Sequence, residues 1–255
     1  MGMATGFKSP AALEECAHGE KLVGSPADRG VCIIRIGHSD DPTHKKESLR
    51  SVHIALMESE CDEFKWQNSR TYDLGPEHPL EIFDLLIQWL YTRKYQEKEG
   101  LTWSFDRSLT LLSAPLVIDL PPELPVDWPI KAAVASWELG ATLRAKNFQN
   151  YAIKRLFKAF SRPLSQPLTP ALLAYIFQLH KESFAEGSSQ LQQLLQDVFV
   201  RNWGDATIID HTDRERWSFF LGLCPSFRED FVSATKHSPE KRQREKLDFA
   251  KYLIH

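Results

Sequence analysis

Apolar residues along this chain follow two rhythms. Val31-Cys32-Ile33-Ile34-Arg35-Ile36 is a short β-branched run that predicts a strand, with Gly37 as its stop. Thr71-Tyr72-Asp73-Leu74 predicts another short strand, closed by Gly75-Pro76. Elsewhere the three-to-four spacing of amphipathic helices dominates. Its fullest instance runs from Pro79 to Thr92, with apolar residues at Ile82, Phe83, Leu86, Ile87, Trp89 and Leu90. A helix so rich in bulky side chains has to pack inside something.

The same spacing predicts further helices. Ser48 is placed to cap one from Leu49 to Phe64, with Val52, Ala55 and Leu56 facing inward. Ile130 to Leu139 reads as a helix with Gly140 as its C′ residue. Ala145 to Phe160 follows, its apolar face made by Phe148, Ala152, Ile153, Leu156, Phe157 and Phe160. Thr169-Pro170 opens a helix to about His180, a cap followed by proline at the first position. Gln190 to Val200 is another, then Arg214 to Leu221 and Ser226 to Ala234, and a last one from Gln243 to Leu253.

Residues 1–29 read as a loosely ordered N-terminus, with a short helix at Ala11 to Ala17. His38 to Glu47 is a polar loop. Residues 96–129 hold Pro115, Pro121, Pro122, Pro125 and Pro129, which oppose long helices, so the segment reads as an insertion with one extended piece at Thr110 to Leu116. Many helices with two or three short strands predict a mostly helical α+β fold. That tally excludes a doubly wound parallel sheet and an all-β sandwich.

Composition narrows the class. The 255 residues suffice for one large domain or two small ones. With 31 basic and 34 acidic residues, the net charge of −3 gives no general push toward nucleic acid or an anionic membrane. The 15 phenylalanines and 7 tryptophans predict an aromatic-heavy core. Cys16, Cys32, Cys61 and Cys224 are scattered, as reduced thiols of the cytoplasm or nucleus are. No apolar run is long enough for a membrane span, and Met1 to Gly24 lacks the apolar core of a secretory signal.

The search for catalytic motifs returns no Gly-rich phosphate loop, no Gly-x-Ser-x-Gly elbow and no His-Glu-x-x-His. His38 and His44 flank Asp40 and Asp41, but no second pair completes a tetrahedral metal set, and no metal or cofactor is expected. Cys16 and His18 lie beside Glu14 and Glu15, whose charges oppose a reactive thiolate. Asp205, Asp210, His211 and Asp213 cluster with Thr207 and Thr212, as loop and helix-cap residues do. The one positive patch is Lys236-His237 with Lys241-Arg242-Gln243-Arg244 and Lys246, diluted by Glu240, Glu245 and Asp248. It is the composition of an import signal, a phosphate contact or a solvated terminal helix. Ser238-Pro239 within it is a candidate phosphorylation dipeptide.

Several segments, in order, resemble one family. Ser51-Val52-His53-Ile54-Ala55-Leu56-Met57 is similar to the His-Lys-x-Leu-Leu helix of BTB/POZ domains. Val31 to Ile36 stands where the family's first strand stands. Thr71 to Leu74 and then Pro79 to Tyr95 resemble its strand and its Phe-x-x-x-x-x-Trp-Leu-Tyr-Thr-Gly-x-Tyr helix, through Phe83, Trp89, Leu90, Tyr91 and Thr92. Trp137-Glu138-Leu139-Gly140 and Phe148-Gln149-Asn150 resemble its paired helices. Thr169 to Val200 is similar to the helical extension that follows the core in many filamentous-fungal members.

The resemblance implies a BTB/POZ-like domain over 30–160 with a proline-rich insertion at 96–129, a helical extension over 161–235 and a charged tail over 236–255. His53, Leu56, Phe83, Trp89, Leu90 and Tyr91 are its motif core. It implies a non-enzymatic protein-interaction module that dimerises or recruits partners, in some members as substrate adaptor of a cullin-type ubiquitin ligase. Three departures bear on those roles. Ile54 replaces the lysine after the helix histidine, and Gly30 replaces an acidic residue before the first strand. Those two charges meet in many of the family's dimers, so their loss weighs against that homodimer. Between Phe64 and Tyr72 the family carries a longer stretch than Lys65-Trp66-Gln67-Asn68-Ser69-Arg70, and the missing part supplies cullin contacts.

Exposed aromatics are the best partner-binding candidates, since buried aromatic anchors dominate interfaces. Trp66 in the shortened loop and Trp103 and Phe105 in the insertion qualify. Two rival readings belong to other classes. One is a nuclear regulator touching nucleic acid through Lys236 to Lys246. The other is a small enzyme whose site gathers His53, Asp73 or Cys61 from distant parts of the chain.

Overall fold

Helix dominates the described residues: nine α-helices and two 3-10 turns stand against five strands. The computed structural model describes residues 30–36, 48–66, 71–75, 79–102, 126–179, 189–244 and 246–255. The short helix at 11–17, the loop at 38–47 and the extended piece at 110–116 lie outside them. Among the described residues no helix is long and apolar enough to cross a membrane. Two compact units interleave in sequence: residues 1–97 with 135–149, and 98–134 with 150–255.

In the first unit, β1 (Val31–Ile36), β2 (Ser48–His53) and β3 (Thr71–Leu74) form one sheet in the order β2-β1-β3. β1 pairs antiparallel with β2, Val31 opposite His53, and parallel with β3, Ile34 opposite Tyr72. Cys32, Ile34 and Ile36 point inward and are buried, as the period of two requires. β2 corrects the expected helix from Leu49 to Phe64. Val52 and Leu56 mimic helical spacing, but six cross-strand partners hold 48–53 extended, and α1 (Ile54–Glu60) begins only after His53. A 3-10 turn, Asp62–Trp66, follows.

α2 (Leu80–Thr92) is the predicted Trp-Leu-Tyr helix, entered from Pro79. Ile82, Phe83, Leu86, Trp89 and Leu90 are all buried. Full burial of side chains of this size contributes about 1.5–3 kcal/mol each. Arg50 on β2 clamps Asp84 of α2 with two hydrogen bonds, 2.7 and 3.0 Å. Trp89 meets Phe148 with ring centroids 5.3 Å apart.

Gly140 is not the C′ residue expected of it. α3 (Trp128–Thr142) runs through it. The close is a Schellman pattern further on: Ala145 N–H donates to Gly140 C=O at 2.7 Å and Arg144 N–H to Ala141 C=O at 3.1 Å. Arg144 takes the left-handed conformation there, φ 51°. Gly140 is required for a different reason, because a Cβ would stand 2.6 Å from Gln149 Cγ. Arg93, after α2, is also left-handed, φ 58°. Both arginines grip the same segment: Arg93 pairs with Glu60 and lies over the Trp89 ring, and Arg144 reaches Glu63 at 3.4 Å.

Among its described residues the second unit is helical apart from a two-residue ladder, β4 (Leu101–Thr102) with β5 (Val126–Asp127), and a single parallel bridge between Leu168 and Ile209. This ladder pairs the two sides of the expected insertion, and Trp128 N–H bonds Gly100 C=O at 2.9 Å. α4 (Lys146–Phe160) buries Ala152, Ile153 and Leu156 as its periodicity predicts. α5 (Pro170–Leu179) and α6 (Gln190–Asn202) follow; Ser189 caps α6 by accepting from Gln192 N–H. α7 (Arg214–Leu223), α8 (Pro225–Thr235) and α9 (Pro239–Arg244) complete the set.

α6 is the hub, packed by α5, α8, α9 and the final 3-10 turn, Phe249–Tyr252. Trp203, just past α6, stands edge-on to Trp217 and Phe231 at 4.8 and 4.7 Å. The expected helix from Gln243 to Leu253 is broken in two. Asp248 caps the 3-10 turn, and Phe249 and Tyr252 turn inward onto Phe157 at 5.3 and 5.7 Å. The charged tail therefore docks: Asn150 holds Ile254 by both its backbone groups, and Tyr252 is 1% exposed.

Candidate functional site

The motif residues divide by burial. Leu56, Phe83, Trp89 and Leu90 are core, at most 3% exposed. His53 and Tyr91 are half-buried and meet: His53 Nδ1 lies 2.6 Å from the Tyr91 hydroxyl, and the rings stand edge to face. This bond ties the end of β2 to α2 side chain to side chain. Trp66 ends the 3-10 turn, and its side chain lies outside the described set, as do Trp103 and Phe105 altogether.

The residues named for a non-local enzyme site are engaged separately. His53 is on Tyr91, Asp73 pairs with Arg35 across β1 and β3 at 2.5 Å, and Cys61 is fully buried. Cys32 is buried as well, and burial pushes its thiol pKa up, away from the reactive thiolate. Among the described residues no group of three histidines, cysteines or carboxylates is placed to hold a metal. The Asp205–Asp213 cluster is made of caps. Asp205 and Asp210 each accept from the backbone and hydroxyl of the threonine two residues on, and Asp213 caps α7 through Arg216 N–H. The hydrogen bonds from Thr212 hold the Asp210 carboxyl below its usual range.

Two surfaces remain that could meet something else. The first is the outer face of the three-stranded sheet. Val31, Ile33 and Leu49 are 46%, 41% and 58% exposed, and register sets Leu49 opposite Arg35, one step beyond Ile33 on the same face. The second lies in the other unit. A cleft of about 330 Å³ opens where α6, α9 and the last 3-10 turn come together. Its walls carry Arg201, Lys241, Arg242, Lys246 and Lys251, with Asp197 and Asp248 as the carboxylates.

The basic run thus has two faces. Lys241 and Lys246 are exposed, whereas Arg242 is only 9% exposed and donates to the carbonyls of His237 and Trp203. Arg201 donates to Gln243 C=O at 2.5 Å. Asp197 is covered by its partners, accepting from Lys251 Nζ at 2.9 Å and from the Tyr252 hydroxyl at 2.6 Å. Burial first, and Asp197 second, push the Tyr252 phenol well above its usual range.

Sequence reading found half of this cleft and missed the rest. It named His237, Lys241, Arg242 and Lys246 but neither Asp197 nor Arg201, four apart on one face of α6, nor the return of Lys251 and Tyr252 to Asp197 across more than fifty positions. The exposed sheet face was also missed, though a strand apolar on both faces signals it. No family model matches this chain, and neither a curated protein nor a solved structure is found to match it.

Proposed function

We propose that this chain is a non-enzymatic protein–protein interaction module of BTB/POZ type, a scaffold or adaptor working through its first unit. The observation that carries the reading is the outer face of the sheet, where Val31, Ile33 and Leu49 remain exposed on strands whose other face carries the buried Cys32, Ile34, Ile36 and Val52. Grouped apolar side chains on an ordered sheet mark surfaces that a partner covers. The order of the motif segments supports the BTB type: the strand, the His53 segment, the second strand and the Trp89-Leu90-Tyr91 helix all pack within one unit.

The test compares partners rather than collecting them. Affinity purification with mass spectrometry is run on the chain and on an Ile33→Asp, Leu49→Asp variant, with circular dichroism to confirm that both fold. Proteins recovered with the parent and lost with the variant are the expected result. An unchanged partner set from a folded variant refutes the sheet face as the interaction surface. A cullin among the lost proteins would make the adaptor role specific.

A further inference from the structure

We propose that the basic cleft of the second unit binds a short polyphosphate anion, a pyrophosphate or triphosphate group either free or at the end of a small molecule. This site is independent of the interaction role assigned to the first unit.

The charge count comes first. Five cationic side chains and two carboxylates line the cleft. Lys251 is committed to Asp197, and the Tyr252 hydroxyl donates to the same carboxylate, so this pair cancels. Asp248 is occupied in capping Ala250 N–H. Over the whole lining, five cations stand against two carboxylates, a surplus of three positive charges (five minus two). Neither Lys241 nor Lys246 forms an ion pair with a carboxylate among the described residues; Lys241 Nζ has only His237 Nδ1 nearby, at 3.3 Å.

Arg242 supplies an independent observation. It is buried, yet two of its nitrogens are held only by carbonyl oxygens, and its Nε has no hydrogen-bond partner. A buried guanidinium whose Nε–H is unfilled carries a desolvation penalty that a bound anion relieves, and the Glu240 carboxylate that feels the Arg242 charge is itself exposed. Guanidinium forks and ammonium groups together are the usual cradle for phosphate oxygens. Size completes the selection. About 330 Å³ is at the small end of ligand pockets and admits a few phosphate groups, not a duplex.

Calorimetry with inorganic tripolyphosphate, at low and at physiological salt, tests this on the full chain. Saturable one-to-one binding is expected. A Lys241→Ala, Lys246→Ala variant, altered only at exposed positions, should weaken it by about tenfold or more while leaving the ligand-free melting temperature unchanged. Arg242→Lys keeps the charge, removes the fork and should also weaken binding. Parallel titrations separate the sources of the chemistry. Binding of ATP as tight as that of tripolyphosphate identifies a nucleotide-borne group, and weaker binding of ATP identifies the free anion. No saturable tripolyphosphate binding, or equal affinity in the double-lysine variant, overturns the proposal. A single-stranded oligonucleotide that binds and is not displaced by tripolyphosphate overturns it in favour of nucleic acid.

Discussion

The two units both pack an apolar core but finish it differently. The first is closed by apolar packing, with α2 buried along Ile82, Phe83, Leu86, Trp89 and Leu90, and two polar clamps, Arg50–Asp84 and Arg93–Glu60, add to it. The second has its own apolar core, with Leu194, Leu195, Val198, Phe199 and Trp217 buried, and fastens its chain end onto that core with polar groups. Asn150 holds Ile254, Asp197 holds Tyr252 and Lys251, and Arg242 is wrapped by two carbonyls. A hydrophobic core tolerates water on its far side, which leaves the first unit with a free sheet face. Polar closure leaves charges facing inward, which gives the second unit a cleft. The kind of surface each unit offers thus follows from how its core is finished.

Substitutions can break or sharpen this contrast. The largest effect is expected of Phe83→Ala, which removes a fully buried ring from the first unit and should cost about 3–5 kcal/mol in urea denaturation. A loss under 1 kcal/mol would show that packing around α2 is not what holds that unit. Tyr252→Phe is next. It deletes a hydroxyl donor to a carboxylate and should cost about 1.5–3 kcal/mol at neutral pH.

Tyr252 also leaves a pH signature. Its folded-state pKa is raised above the usual 10.0, so the folded chain keeps a proton that the unfolded chain releases. Its contribution is complete below that value and declines as pH rises through it. Cys224, pushed by burial to about 11 from 9.0, acts in the same direction. Stability should therefore fall on the alkaline side, and the Tyr252→Phe variant should show a shallower fall than the parent. Equal slopes would show that the phenol's setting contributes nothing.

The smallest effect is assigned to Arg35→Ala. The Arg35–Asp73 pair is 37% and 44% exposed, and such surface pairs contribute about 0–1 kcal/mol. A loss above about 2 kcal/mol would mean that the sheet's outer face is structural rather than available to a partner.

Much of this fold was legible in the sequence where one periodicity held over a whole element. Val31–Ile36, Thr71–Leu74, α2, α4 and α6 have the kinds and nearly the bounds expected. β2 was not legible, because Ser48-Leu49-Arg50-Ser51-Val52-His53 buries one apolar residue, and that residue falls in helical register with Leu56 of the next element. Its pairing with β1 is a long-range fact. Gly140 was misassigned for a related reason: glycine signals both a left-handed cap and a close approach, and only the position of Gln149 distinguishes them. The last segment was misread through its charge. Lysines and arginines suggested a solvated helix, while the aromatic residues that direct it inward, Phe249 and Tyr252, meet Phe157 on a helix far earlier in the chain. The candidate sites were legible to the same degree: His53 and Tyr91 as motif residues, Lys241 and Lys246 as a run, but neither the face nor the cleft that collects them.

The interleaving of the units has a consequence for how the chain is made. Residues emerge from the ribosome in order, so Trp89 leaves well before Phe148, the ring it packs against. While that partner is being synthesised, residues 98–134, which belong to the other unit, have already appeared. The amide of Asn150 then waits for Ile254. Two incomplete apolar surfaces are open on one nascent chain at once, and neither unit can finish before the other has begun. Holding such surfaces apart is the work of chaperones, and a pause in translation between 97 and 149 would lengthen the exposure of α2 more than a pause anywhere after it.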